Sequence, residues 1–282
     1  FETQACQIVA SNDTVGCTAA VLAVLEGTWA PDDAANSAYK VCTGGEIDTV
    51  EKLAPFNDCE LISGNLKFFI PVDFTVGSTF AKLIAVSGDV VVYNTGMKKL
   101  AATSFPLLAA IGGSLQVAHN TELLVIESFG ALHAIRGLLD INNNAKLLSV
   151  ELLEVQDVEG RVQLSVNAQL EIVSYPKLKA AGEVWLENNN QLSVLALSML
   201  AECDGQFYVK NNNMLYELTT PELVRISKDL QVLNNQRLDH IVMPKLALAG
   251  YINIYQDYQL DFVSFPKLVV IEGNCHFQYN DA

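Results

Sequence analysis

The sequence predicts an all-β fold: a right-handed, single-stranded parallel β-helix of about ten 22–25-residue coils, preceded by a helical amino-terminal cap. Three observations carry this prediction. Glycines recur at Gly64, Gly88, Gly113, Gly137, Gly160, Gly182, Gly205, Gly250 and Gly273, with Lys228 in the one vacant slot, at intervals of 22 to 25 residues. The second and fourth positions after each anchor are apolar in every unit, as in Val162/Leu164 and Val184/Leu186, and so is the second position before it. Five units carry Pro-x-Leu at one place in the repeat, from Pro106-Leu108 to Pro266-Leu268. A helical repeat would show apolar residues at i, i+3, i+4 and i+7 and would not tolerate prolines recurring within it.

The elements follow in chain order. Residues 1–41 form a capping segment in which Thr18 to Trp29 read as a helix, opened by Thr18 and ended by Gly27, placed over the first coil. Residues 42–282 form one continuous solenoid. In each coil the apolar alternation after the anchor marks a strand with one buried face, and a lone strand cannot bury that face, so the units must stack. Seven units place asparagine seven residues after the anchor: Asn120, Asn144, Asn167, Asn189, Asn212, Asn235 and Asn280. Asparagine tolerates left-handed backbone and bonds neighbouring peptides, so these residues are expected at a corner, with their amides stacked as a ladder. A leucine follows three residues later in most units, and the proline sets a second corner.

Composition narrows the function. Half of the 282 residues are hydrophobic and 17% are charged, enough apolar material for a real core. The 17 lysines and arginines against 32 aspartates and glutamates give a net charge of −15, which argues against nucleic acid as a partner. No apolar run is long enough to cross a membrane as a helix. The chain does not open on a leader-type sequence, so the reading is of a processed, secreted or cell-surface chain. The last unit stops just after its strand, which leads us to expect a linker, anchor or further domain beyond Ala282, or self-association through an uncovered final coil.

The segment Val41-Cys42-Thr43-Gly44-Gly45-Glu46-Ile47, followed by Asn57-Asp58-Cys59-Glu60-Leu61-Ile62-Ser63-Gly64-Asn65-Leu66, resembles the start of a receptor L domain, as in the insulin and epidermal growth factor receptor families. The later Phe-Pro-x-Leu and I-x-G-x-L-x-I-x-x-N units are similar to the same family, including fungal GPI-anchored cell-wall proteins. The resemblance covers about residues 41–282. It implies a disulfide between Cys42 and Cys59 that pins the amino-terminal end; Cys6 and Cys17 are candidates for a second. Cys203 and Cys275 fall in inward columns three coils apart, too far to bridge, and read as buried thiols. One sequon, Asn12-Asp13-Thr14, fits a secreted chain.

Catalytic signatures are missing from the sequence: no nucleophile elbow, phosphate loop, H-E-x-x-H or paired metal-ligand spacing, and the four histidines occupy four different repeat positions. No catalytic residue, metal or cofactor is therefore expected. Glu151, Glu154, Asp157 and Glu159 beside Arg161 are the nearest carboxylate cluster and read as a solvated edge. The lysines after the corner prolines, Lys177, Lys245 and Lys267, read with Glu222 as a mixed-charge edge. The outward strand positions carry Trp185 and Tyr208 on adjacent coils, with Tyr251, Tyr255 and His276 two or three coils further on. Exposed aromatics on a rigid sheet anchor protein partners or stack on sugars; they also stabilise sheets by contact with each other. The expectation is an extracellular recognition or adhesion module, not an enzyme, that binds a protein or glycan through that face. A structural component of a wall, coat or filament is the alternative, and a carbohydrate-active enzyme a remote one.

Overall fold

The computed structural model describes residues 39–127, 129–278 and 280. The helix expected over Thr18–Trp29, the Cys6–Cys17 pair and the Asn12 sequon lie outside those residues. Among the described residues the chain is strand and turn throughout, with one short 3-10 helix at Val50–Phe56. The strands pair in parallel, each with the equivalent strand one coil away, and build a β-solenoid of about ten turns. One large sheet holds the strand segments on both sides of the anchor glycine. Further along the coil runs a five-stranded sheet from Lys99–Leu100 to Val194–Ala196, and after it a three-stranded sheet of Glu217–Thr219, His240–Val242 and Phe262–Ser264.

The strand Val41–Ile47 pairs with Leu61–Phe68, so the sheet already includes Val41. The 3-10 helix lies between Cys42 and Cys59, which are joined by a disulfide with a Cα separation of 5.8 Å.

Most of the glycine anchors sit where one coil's backbone lies directly on the next; Gly64 instead has open space around it and a φ of +87°. A Cβ at Gly182 would stand 2.2 Å from the carbonyl oxygen of Glu159, and one at Gly88 would stand 2.1 Å from Oδ1 of Asn65. A side chain at either position would collide with the coil before it, the Gly64 backbone lying 2.8 Å from a Cβ at Gly88, whereas the slot held by Lys228 accepts one.

After the anchor, the second and fourth positions from Leu66/Phe68 to Ile252/Ile254 are all at most 1% exposed. Before it, the inward residue is the second one back in most coils, but not in the Gly182 and Gly250 coils. There Ala181 and Ala249 fill the core, and Ala180 and Leu248 are half-buried. These are the two coils of 22 residues, one short of their neighbours. The register shifts across the glycine, Val158 opposite Ala181 but Arg161 opposite Glu183, absorb the difference. At the other end of the solenoid, Cys275 and Phe277 hold inward positions in the last coil but are exposed, because among the described residues no further coil packs on them. The buried-thiol reading therefore holds for Cys203 and fails for Cys275.

The asparagine ladder is present and complete on each rung. Nδ2 of Asn144 donates to Oδ1 of Asn167 on the next coil (3.2 Å) and to the Val117 carbonyl on the previous one (2.9 Å). The backbone N–H of Asn144 also donates to Oδ1 of Asn167 at 3.0 Å. The same set recurs at Asn120, Asn167, Asn189, Asn212 and Asn235, all 0% exposed. The left-handed residue is the one before the ladder, not the ladder residue itself. Asn94, His119, Asn143, Val166, Asn188, Asn211, Asn234 and Gln256 all have φ between +49° and +60°. Val166 is the costly member, since a β-branched side chain crowds the carbonyl in that region.

One ladder position holds an acid. Asp257 is 0% exposed; its Oδ1 accepts from both the backbone N–H and Nδ2 of Asn235, and its Oδ2 has no partner. By register, an amide there would donate to the Val232 carbonyl and to Asn280, whose Oδ1 already accepts the Asp257 backbone N–H. A carboxylate has nothing to donate, whereas a protonated carboxyl does. Burial pushes this carboxyl up to about 7, against the bonds from Asn235 that pull it down. The folded state therefore holds the Asp257 proton more tightly than the unfolded chain, whose value is about 3.9. Stability from this group is full below about pH 4 and is lost as pH rises toward 7. Asp257→Asn is accordingly expected to match the parent in urea unfolding near pH 4 and to exceed it by about 2–4 kcal/mol at pH 8. A difference that stays constant with pH would overturn this account. Separately, Val166→Asn, which restores the commonest residue of the left-handed column, is expected to raise stability by about 1 kcal/mol in the same measurement.

Candidate functional site

The outward face of the large sheet aligns Gln163, Trp185, Tyr208, Gln231, Asn253 and His276 in one row of six coils. Coils repeat every ~4.8 Å, which lets neighbouring rings in one row lie face to face. The Trp185 and Tyr208 rings do so, with centroids 4.1 Å apart and planes 29° apart. The Arg161 guanidinium sits 4.6 Å from the Trp185 centroid. Arg161 is held by Glu183, with Nε donating to Oε2 at 2.7 Å. Around the stack, Trp185 Nε1 donates to Glu187 (3.3 Å), Lys210 pairs with Glu187 (3.4 Å), and Gln206 donates to Asp229 (3.0 Å). The Tyr208 phenol, and behind it Glu187, push the Lys210 ammonium upward.

This geometry changes the reading of the aromatic face. Tyr208 is only 9% exposed, not an open platform, and Trp185 is half-buried. One face of Trp185 is turned to Tyr208 and the other is occupied by Arg161. The stack offers solvent ring edges and a rim of ionic and amide groups, so stacking a sugar ring on Trp185 would require displacing Arg161.

Tyr251, Tyr255 and His276 form a separate group, with the Gln231 coil between them and the stack. Tyr251 and His276 rings lie 5.7 Å apart at 39°, His276 is exposed, and Tyr251 and Tyr255 are half-buried. In register, Tyr251 faces Asp229 and Tyr255 faces Leu233.

The carboxylates near Arg161 do not converge. Glu154 pairs with Lys177, Glu159 with Arg136, and Arg161 with Glu183, while Glu151 lies on the five-stranded sheet. Lys245 pairs with Glu222, so the edge beside the prolines is a mixed one. Among the described residues no three histidine, cysteine or carboxylate side chains are grouped to hold a metal. Cys203 is buried and its thiol is pushed up to about 11, mainly by desolvation, which removes it as a nucleophile.

The two smaller sheets carry a second exposed surface that sequence reasoning missed. Leu124, Leu148, Ile172 and Val194 are each 38–49% exposed on consecutive coils. The next three coils carry Tyr216, His240 and Phe262, with ring centroids 6.0 and 5.7 Å apart. Reading the columns eleven and twelve residues after the anchor would have found them; they lack a single repeated residue type. Comparison with known protein families, curated proteins and solved structures finds no match.

The Arg161–Trp185–Tyr208 stack is expected to act as one unit. A double-mutant cycle of Arg161→Ala and Trp185→Ala in urea unfolding should give a coupling of about 0.5–1 kcal/mol. Additive losses would mean that the guanidinium contributes nothing to the ring.

Proposed function

We propose that this chain is an extracellular or cell-surface recognition module that binds a protein partner through the outward face of its large sheet. The observation that carries the reading is the locked arrangement around Trp185 and Tyr208. Rings, Arg161, Glu183, Glu187 and Lys210 are already held in place by each other, so a partner would immobilise few side chains on docking. The rim of ring edges, ions and amides suits a protein surface better than a pyranose ring, which needs an open aromatic face. The Cys42–Cys59 disulfide supports an oxidising compartment, and the resemblance to receptor L domains supports a role in recognition.

A structural role in a wall, coat or filament is the second reading. The exposed apolar stripe of Leu124 and Leu148, continued one residue further along the coil by Ile172 and Val194, favours it, because such a stripe suits lateral contact between rods.

The test is capture from cell-surface extracts and from a panel of soluble glycans, comparing the parent with Trp185→Ala/Tyr208→Ala at matched melting temperature. A protein retained by the parent and lost by the double variant is the expected result. Equal capture by both would refute the large-sheet site. Sedimentation that shows concentration-dependent assembly, lost in Ile172→Ser/Val194→Ser, would favour the structural role.

A further inference from the structure

The three-stranded sheet places Glu217, His240 and Phe262 opposite one another in register, and Tyr216, Asp239 and Asp261 one residue earlier on the same coils. Tyr216 and Phe262 are 53% and 48% exposed, and the His240 ring lies between them. Tyr216 Oη donates to Asp239 Oδ2 at 2.9 Å, and His240 Nδ1 meets the same oxygen, so Asp239 fixes both rings. Three acids on three adjacent coils here have no lysine or arginine partner among the described residues, as several others on this acidic chain do not. Glu122, Glu154 and Glu222 each pair with a lysine on the next coil, whereas among the described residues no lysine or arginine stands at ion-pair distance from Glu217, Asp239 or Asp261. Arg237, two residues before Asp239, turns instead to the Met214 sulfur.

We propose that the Tyr216–His240–Phe262 face binds an extended, lysine- or arginine-bearing segment of a protein partner, independently of the large-sheet site. Charge and shape both point to that occupant. Aromatic faces attract ammonium and guanidinium groups, and the long stems of those side chains cover apolar rings while their heads reach carboxylates. Alternate side chains of an extended peptide lie about 6.6 Å apart, close to the 6.0 and 5.7 Å steps between the three rings. A segment running across the coils would set every second side chain on a successive ring. Asp239 and Asp261, in the adjacent column, would take the positive heads.

The test uses the full chain and a fluorescent octapeptide alternating lysine and serine, followed by anisotropy at low salt. The parent is expected to bind it. Tyr216→Ser/Phe262→Ser, which changes no charge, and Asp239→Asn/Asp261→Asn are each expected to weaken binding about tenfold. Glu51→Gln/Glu272→Gln, which removes equal charge from exposed sites elsewhere, should change it less than about twofold. Absence of binding by the parent overturns the proposal. So does equal weakening by the remote pair, which would mean diffuse attraction to an acidic protein, or full binding by Tyr216→Ser/Phe262→Ser. A chitosan oligomer bound more tightly than the peptide, and lost with the same residues, would make the occupant a cationic glycan and also overturn it. Loss of surface-extract capture in Trp185→Ala/Tyr208→Ala has no bearing on these outcomes, so the two sites fail separately.

Discussion

Everything in this molecule depends on satisfying a buried corner. Each coil must turn from the large sheet toward the next one inside the solenoid, where water cannot reach the peptide groups. An unpaired buried backbone donor costs about 1–3 kcal/mol, so ten unsupported corners would outweigh the net stability of a typical domain. The asparagine ladder removes that cost. Each amide takes the backbone N–H of the coil before it and gives its own hydrogens to a carbonyl on one side and an amide on the other. A rung is complete only when neighbours stand on both sides, which ties each coil's corner to the next. The left-handed residue just before each rung swings the chain into position, and the leucine three residues after the rung is buried in each coil from Leu123 to Leu260.

The same repeat dictates the surface. Because coils stack in register, a side chain meets the residue 21 to 25 positions away rather than its sequence neighbours. Lys98 meets Asp73, Lys146 meets Glu122, Lys177 meets Glu154, and Arg225 meets Glu202 and Asp204. Exposed pairs of this kind contribute about 0–1 kcal/mol each, so they do not hold the rod together. What they do is neutralise long columns of its surface. Glu217, Asp239 and Asp261 stand outside these pairs on three adjacent coils: Asp239 holds Tyr216 and His240, and among the described residues no lysine or arginine answers any of the three.

Much of the fold was legible in the sequence because the solenoid makes its constraints periodic. The glycine anchors, the inward pairs such as Val162/Leu164 and the ladder asparagines each recur at a fixed offset, so ten weak signals add. What escaped was whatever a single position decides. Asparagine occupies both the left-handed site and the rung in Asn143-Asn144, Asn188-Asn189, Asn211-Asn212 and Asn234-Asn235, so residue type could not say which was which. The inward roles of Ala181 and Ala249 depend on a one-residue deletion absorbed at the glycine bend. The burial of Tyr208 depends on Trp185 and on the groups around it, a contact between side chains that alternation cannot foresee. Tyr216, His240 and Phe262 went unread because their columns change residue type at each coil, and because Tyr216 stands one residue out of register with His240, so that only the ring contacts bring it into the row.

That contrast bears on function. Columns that repeat one residue type, glycine, leucine or asparagine, serve the fold, since every coil poses the same steric problem. Columns that change type from coil to coil are free of that demand, and specificity can reside only where neighbouring coils differ. The Arg161–Trp185–Tyr208 stack and the Tyr216–His240–Phe262 row both lie in such columns, on different sheets of one rod. A parallel solenoid does not flex one coil against the next without breaking ladder bonds, so each row holds its spacing when a partner arrives. Under the two proposals, the partners would dock on separate faces, and one module could hold both at once. That arrangement does not require either partner to reshape the backbone.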